Sequence, residues 1–299
     1  MADLISRIYS NFRGVDFRGD EINLVRSPDS LNVWKDYKET ESIRTRPGME
    51  QKVPFDDMVY GIFFFKGKML VHSGTKLYKV ENGNKTVIYS NLNKAASNSF
   101  VYDDVFYFKD GLHYLKYDGT TIENVVGYVP TTTISRKPMG GGTKYEDVNM
   151  LSDYRKNSFL ADGGSFSFFL DVVNIDTDFV PVVTYNDEVV ATSEYEVDYA
   201  DGKITFLHTA PDAPLTTGQD NVVIEFKKAV VDGKGVKKYH KAILGCTLLQ
   251  VFDNRVFFSG NNEYPNIVWH CSLNDPTYVS DLDYYNEGMD NAKVKGLVA

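Results

Sequence analysis

The stretch "VYDDVFYFKDGLHYLKY" (Val101–Tyr117) decides how the chain is read. An aromatic precedes a polar pair, and a continuous apolar run follows. A Gly-containing turn then leads to a second run that carries tyrosines. The same template lies in "FFKGKMLVHSGTKLYKV" (Phe64–Val80) and begins again in "VFDNRVFFSGN" (Val251–Asn261). Its anchor aromatics are Phe65, Tyr102 and Phe252, with spacings of 37 and 150 residues. A period near 40 residues belongs to β-propeller blades. The second spacing exceeds one such period by about 113 residues, so something is inserted there.

The polar pairs explain themselves as turns. Lys66-Gly67, Asp103-Asp104 and Asp253-Asn254 sit where two strands must reverse, and Gly, Asp and Asn tolerate left-handed backbone. "NDP" (Asn274–Pro276), within "RVFFSGNNEYPNIVWHCSLNDPTYVSDLDYYNEG" (Arg255–Gly288), reads in the same way. The runs "VFYF" and "VFF" do not alternate, as expected of strands covered on both faces. Phe106, Phe257 and Phe258 are therefore expected between sheets. No WD or kelch signature occurs.

Near Tyr128 the composition changes. "YVPTTTISRKPMGGGTKYED" is a Pro/Gly/Thr-rich boundary. Beyond it, "EYEVDYADGKITFLH" puts Tyr195, Val197 and Tyr199 on one face, then Ile204 and Phe206, with Asp201-Gly202 as a two-residue turn. Val222, Ile224 and Phe226 also share a face. One wet and one dry face predict an antiparallel sandwich of immunoglobulin-like size. The expected organisation is an N-terminal segment at 1–50, blades at 51–129, the inserted sandwich at 130–236 and further blades at 237–299. The fold class is all-β: an incomplete set of propeller-like blades with an inserted immunoglobulin-like β-sandwich.

Composition fits that class. The chain has 299 residues, 42% hydrophobic and 14% aromatic, enough for a packed core rich in strand formers. A net charge of −9 repels phosphate backbones, which disfavours general nucleic-acid wrapping. No run of ~18 apolar residues is present to span a membrane, and "MADLISRIYSNFRG" has no apolar run of signal-peptide length, so synthesis in the cytoplasm is expected. Cys246 and Cys271 fit no zinc spacing and are expected as buried thiols.

Catalytic and metal signatures are weak. "NIDTDF" places Asn174, Asp176 and Asp178 at 1-3-5 spacing, but Phe179 stands where a calcium loop needs Gly, so a turn is expected. The histidines His72, His113, His208, His240 and His270 form no metal-binding pair, and His72 and His270 are expected to pack. "MGGGTK" lacks the spacing of a phosphate-binding loop, and G-x-S-x-G does not occur. No cofactor or enzymatic activity is expected. One charge cluster stands out: Lys227, Lys228, Lys234, Lys237, Lys238 and Lys241, where the chain leaves the insert. It is either a solvated linker or a basic patch for an acidic partner surface or nucleic acid. Tyr239 alone interleaves, so single-strand recognition is not expected.

"NFRGVDFRGDEINLVRSPDSLNVWKDYKETESIRTRPGM" (Asn11–Met49) resembles the N-terminal segment of phage tail-hub proteins, the stabilisation, tail accessory or nozzle proteins of short-tailed phages. The shared features are a Gly-containing start, "LNV" (Leu31–Val33) and "RPG" (Arg46–Gly48) before the first blade. Arg255–Gly288 is similar to a blade of related prophage structural proteins. The resemblance implies a virion protein made in the bacterial host and built into the tail as a homo-oligomeric ring below the portal, around the DNA channel. Its partners would be portal and other tail subunits, with no sequence-specific nucleic acid, membrane or catalysis. The role of the insert is left open.

Two other readings remain. One is a carbohydrate-binding or adhesion protein, with Trp34 or Trp269 as a stacking platform. The other is a propeller hydrolase, which needs convergent acids on the innermost strands. About 136 residues remain for blades, three to four at ~40 each, at or below the four to eight of closed rings. Val294, Leu297 and Val298 are expected to begin an apolar strand at an open edge. The chain is thus expected to belong to a longer protein or to pair that edge with a neighbouring subunit.

Overall fold

The computed structural model describes residues 33–35, 43–46, 48–229, 242–288 and 292–298. The chain divides into two compact units, Met1–Pro54 and Phe55–Ala299. In the first, β1 (Val33–Lys35) pairs antiparallel with β2 (Ile43–Thr45).

The second unit is all-β and carries five of the six sheets among the described residues, none of them closed. Three sheets are four-stranded antiparallel meanders. The first holds β3 (Val59–Phe65), β4 (Lys68–Ser73), β5 (Lys76–Glu81) and β6 (Asn84–Ser90). The second holds β7 (Asn98–Tyr102), β8 (Val105–Lys109), β9 (Tyr114–Tyr117) and β10 (Ile122–Asn124). Between the second and third lie β11 (Thr131–Arg136), β12 (Thr143–Lys144), β13 (Tyr154–Phe159), β14 (Ser167–Phe169), β15 (Val182–Tyr185), β16 (Glu188–Val189), β17 (Tyr195–Asp198), β18 (Lys203–Phe206) and β19 (Val222–Lys227). The third meander holds β20 (Leu248–Phe252), β21 (Arg255–Ser259), β22 (Ile267–His270) and β23 (Tyr284–Asn286).

The three meanders share one register. Phe65, Tyr102 and Phe252 each end the first strand and pair across a two-residue turn with Lys68, Val105 and Arg255. Both residues of every turn have positive φ: Lys66-Gly67 (46°, 73°), Asp103-Asp104 (45°, 58°) and Asp253-Asn254 (48°, 54°). That is the primed turn whose twist matches the flanking strands.

Each sheet has a forward face toward the next meander and a rear face toward the previous one. From the first meander, Phe63, Phe65, Leu70 and Leu77 point forward into one core with Phe106, Phe108, Leu115 and Tyr117 of the second. The opposite face of the second sends Phe100, Tyr107 and Tyr114 into another core with Val256, Phe258, Trp269 and Cys271 of the third. Rings mark both seams: Phe63–Phe106 at 5.8 Å, Phe65–Phe106 at 5.7 Å and Phe100–Phe258 at 6.4 Å. Double coverage is why "VFYF" does not alternate. Phe106 and Phe258 are buried as expected. Phe257 is only half-buried, because it lies on the forward face of the third meander, against the His270 ring at 5.8 Å.

The intervening strands form a six-stranded sheet, ordered β12-β11-β13-β19-β15-β16, and a three-stranded sheet, β14-β18-β17. Both pack on one core that holds Phe159, Phe168, Val183, Tyr195, Ile204, Phe206, Val222, Ile224 and Phe226. Val197 and Tyr199 pack at its margin, so the expected dry face is the buried one. Three expectations need correction. β11 pairs parallel to β13, not antiparallel; the crossover from 137 to 153 returns the chain to the same end of the sheet. Asp201-Gly202 is not a two-residue turn. The loop spans 199–202, with Asp201 N–H donated to Asp198 Oδ1 (3.1 Å) and only Gly202 left-handed. A Cβ at Gly202 would meet Val172 O at 2.1 Å, so no other residue fits. Residues 292–298 form no strand. Val294 N–H reaches Pro265 O (2.9 Å), and no ladder propagates from that bond.

The segment between β12 and β13 belongs to the core between the second and third meanders. Met150 and Leu151 lie in the core between the second and third meanders, and Met150 N–H donates to Val279 O (2.7 Å). Asn149 is fully buried. Its Nδ2 donates to Tyr128 O and Thr277 O, both 2.9 Å, and its Oδ1 accepts from Leu151 and Val279 N–H, both 3.0 Å.

Phe108→Ala removes a ring buried between two sheets and is expected to cost about 3–5 kcal/mol. Asp253→Gly keeps a left-handed turn position and should change stability by less than about 0.5 kcal/mol. Urea unfolding of the two variants measures the contrast; equal costs would contradict the seam described for β8.

Candidate interaction surfaces and the seams that position them

At one equivalent position of each second strand the forward face carries a buried polar group: His72, Lys109 and Ser259. His72 Nε2–H donates to Gly74 O (3.1 Å), which leaves Nδ1 to accept from the Ser97 hydroxyl (2.9 Å), just before β7. Burial pushes its pKa down, in keeping with a neutral ring. Lys109 donates to Ile243 O (2.5 Å) and Cys246 O (3.2 Å), on the lead-in to β20, and lies over the Phe258 ring at 5.3 Å. Each group thus ties its sheet to the segment that begins the next one. Ser259 turns instead to Ile267 O within its own sheet (2.8 Å).

Other titratable groups are structural by geometry. The Asp110 carboxylate accepts N–H from Asn93 (2.7 Å), Leu112 (2.9 Å) and His113 (2.7 Å), and meets His113 Nδ1 at 2.8 Å. Burial raises its pKa, but the amides of Asn93, His113 and Leu112 outweigh it and hold the carboxyl below its usual range. Cys246 and Cys271 are buried as expected, and burial pushes both thiols up to about 11, far from a reactive thiolate. Asn274 has φ 62°, and Asp275 Oδ1 accepts from Thr277 N–H (2.8 Å) and Oγ1–H (2.6 Å), so Asn-Asp-Pro is a turn. In "NIDTDF", Asp176 Oδ1 accepts from Asp178 N–H (2.9 Å) while Oδ2 pairs with Lys227 (2.8 Å).

That ion pair bears on the lysine cluster. Lys227 is held by Asp176, whose hydrogen bond raises its pKa. Lys228 Nζ donates inward to the carbonyls of Val173 and Asn174. Lys234, Lys237, Lys238 and Lys241 lie outside the described residues. A polar cavity of about 200 Å³ sits beside the clamp made by Asn149. Lys144 and Asp147 (2.5 Å apart), Arg155, Asp171 and Asp281 line it, and no serine, cysteine or histidine does. Burial and then the Asp147 charge push the Asp281 carboxyl up. In that lining the Thr132 hydroxyl donates to Asp171 Oδ2 (2.6 Å) and accepts from Asn157 Nδ2 (2.9 Å).

Exposed apolar side chains are scattered over the described residues, and some lie on the first and third meanders. On the rear of the first meander, Phe64 is 72% and Ile62 57% exposed. On the forward face of the third, Phe252 is 56% exposed at the end of β20, and Tyr285 is exposed on β23 at the opposite edge of the sheet, while Val268 between them is buried. Patterning of single strands could have located both faces, but not which of their side chains are buried: Val71 and Val268 are, while Phe64 and Phe252 are exposed. Trp269 is 4% exposed and faces the seam, with Tyr264 edge-on at 5.7 Å, so it is no stacking platform for a sugar. The side chain of Trp34 lies outside the described residues.

Burial pushes the Lys109 ammonium down to about 8, from an ordinary value near 10.5. Between those values the unfolded chain binds more protons, so this group makes the fold more stable as pH rises from about 8 to 10.5. The expected result is that wild-type stability rises relative to Lys109→Met across that window in urea titrations. A pH-independent difference would contradict the desolvated amine.

Compared with known protein families and with curated proteins, the chain matches none.

Proposed function

We propose that the chain is a non-catalytic structural protein of a phage virion, part of a tail hub or nozzle that assembles below the portal around the DNA channel. The observation that carries the structural half is the shared register of the three meanders. Three four-stranded antiparallel sheets stack face to face with the same primed turn at the same place, and their first strands run nearest one another, β7 beside β20. We read them as β-propeller blades, and the two packed sheets between the second and third as an inserted immunoglobulin-like sandwich. The functional half rests on the resemblance of Asn11–Met49 to tail-hub proteins, because a propeller by itself implies no role.

Two observations favour this reading over the alternatives. The first strands, "VYGIFFF", "NSFVY" and "LLQVF", carry no carboxylate where a propeller hydrolase would need convergent acids. The buried position of Trp269 removes one stacking platform from the adhesion reading.

Immunogold electron microscopy on purified particles of the phage or prophage that encodes the chain tests the assignment. Label is expected at the tail vertex. Particles that infect normally and contain none of the chain by mass spectrometry would overturn it.

A further inference from the structure

Asn82-Gly83 joins β5 to β6, and the residues on either side, Glu81 and Asn84, pair across it. Both turn residues are left-handed, with φ 51° and 81°, and both are exposed. This is the same kind of primed turn as Asp103-Asp104. Asparagine tolerates left-handed backbone, and Asn91, Asn174, Asn186, Asn254 and Asn274 occupy such positions as well. Asn82 is the one asparagine of the chain that a glycine follows.

That neighbour changes the chemistry of the side chain. An asparagine carboxamide lies within reach of the next backbone nitrogen, and the five-membered ring they can close is hindered mainly by the next residue's Cβ. Gly83 has no Cβ, and nothing lies within 4 Å of where one would stand. Its N–H makes no hydrogen bond among the described residues. The turn caps the β5–β6 ladder, and β6 is the last strand of its sheet order, so opening it breaks only the Glu81–Asn84 rung. Ladder ends of this kind open locally at little cost.

We propose that Asn82 is a site of spontaneous deamidation in the folded protein. The Gly83 nitrogen gives its proton to hydroxide and attacks Asn82 Cγ. The bond from Cγ to the side-chain nitrogen breaks, and ammonia leaves with a proton taken from water. The cyclic imide then adds water. Opening at Cγ leaves an aspartate in the ordinary chain. Opening at the backbone carbonyl leaves the chain running through Cγ, one methylene longer. Overall one water is consumed and one ammonia released, with no oxidation or reduction. Aspartate suits the turn, as Asp103 and Asp253 show. An added methylene does not suit a turn of two residues, so the lengthened product gives up the Glu81–Asn84 rung and frays β6. The inference uses neither the blade reading nor the virion assignment.

Asn186-Asp187 supplies an internal control. It is another exposed two-residue turn with both residues left-handed (49°, 65°), but its second residue carries a Cβ. The full chain is aged in warm, mildly alkaline buffer, with circular dichroism to follow the fold, and sampled by peptide mass mapping. Conversion at Asn82 is expected to run at least about tenfold faster than at Asn186, a barrier difference of about 1.4 kcal/mol. Chromatography should separate two products of equal mass. Hydrogen exchange should quicken at β6 in the aged protein and not in aged Asn82→Gly, since glycine keeps the left-handed turn. Equal rates at Asn82 and Asn186 would overturn the proposal, as would conversion that runs only in urea. Quickened exchange in aged Asn82→Gly would remove the fraying from this site. If that variant does not fold, the two rates in the wild type still decide.

Discussion

Most of the structure depends on a strand that must satisfy two cores at once. β8 sends Phe106 and Phe108 one way and Tyr107 and Lys109 the other, and each set closes a different seam. A slip of one residue would exchange the two sets and put a lysine into an all-apolar core. The register is therefore strongly specified, and the two-residue turns help to hold it. Their left-handed residues give a twist that suits right-twisted strands, so Asp103-Asp104 does the work of the more familiar Asn-Gly pair.

The seams are not uniformly greasy. His72, Lys109, Asp110 and Asn149 are buried, and each finds partners on segments that join one sheet to another. An apolar contact tolerates sliding, whereas a buried polar group leaves costly unpaired atoms if its partner moves. The aromatic rings supply most of the burial, and these few polar groups select one arrangement of it. Lys109 is the extreme case. Among the described residues it faces carbonyls and a ring but forms no ion pair with a carboxylate, so the protein carries the desolvation of an amine to fix one connection.

What could be read in the sequence was local. Polar pairs such as Asp253-Asn254, the non-alternating "VFYF" and the alternating "NVVIEF" report turn chemistry and side-chain period within a few residues, and all three are reflected in the structure. What could not be read depends on partners far along the chain. The parallel pairing of β11 with β13 leaves no periodic trace, because a strand patterned for one neighbour suits either direction. Asn149 looks like any polar residue in a linker until Thr277 and Val279 stand beside it. Trp269 gave no sign of which way it faced. Lys227 and Lys228 looked like a surface patch because Asp176 and the Val173 carbonyl, their partners, lie about fifty residues upstream. Phe257 marks the limit of the short-range pattern: an apolar residue in a non-alternating strand is buried only if something packs on its side.

Lys228 N–H donates to Asp153 O at 3.1 Å, so the chain leaves β19 beside the point where it entered β13. This has a consequence for assembly of the polypeptide in time. The second and third meanders are distant in sequence, and pairing them from an open chain means closing a long loop. Once the strands from β13 to β19 have folded, that excursion is pinched off at its base, and the search left to the meanders is that of a much shorter chain. Loop-closure entropy grows only with the logarithm of length, so even a longer domain hung at Asp153 and Lys228 would add little to the search.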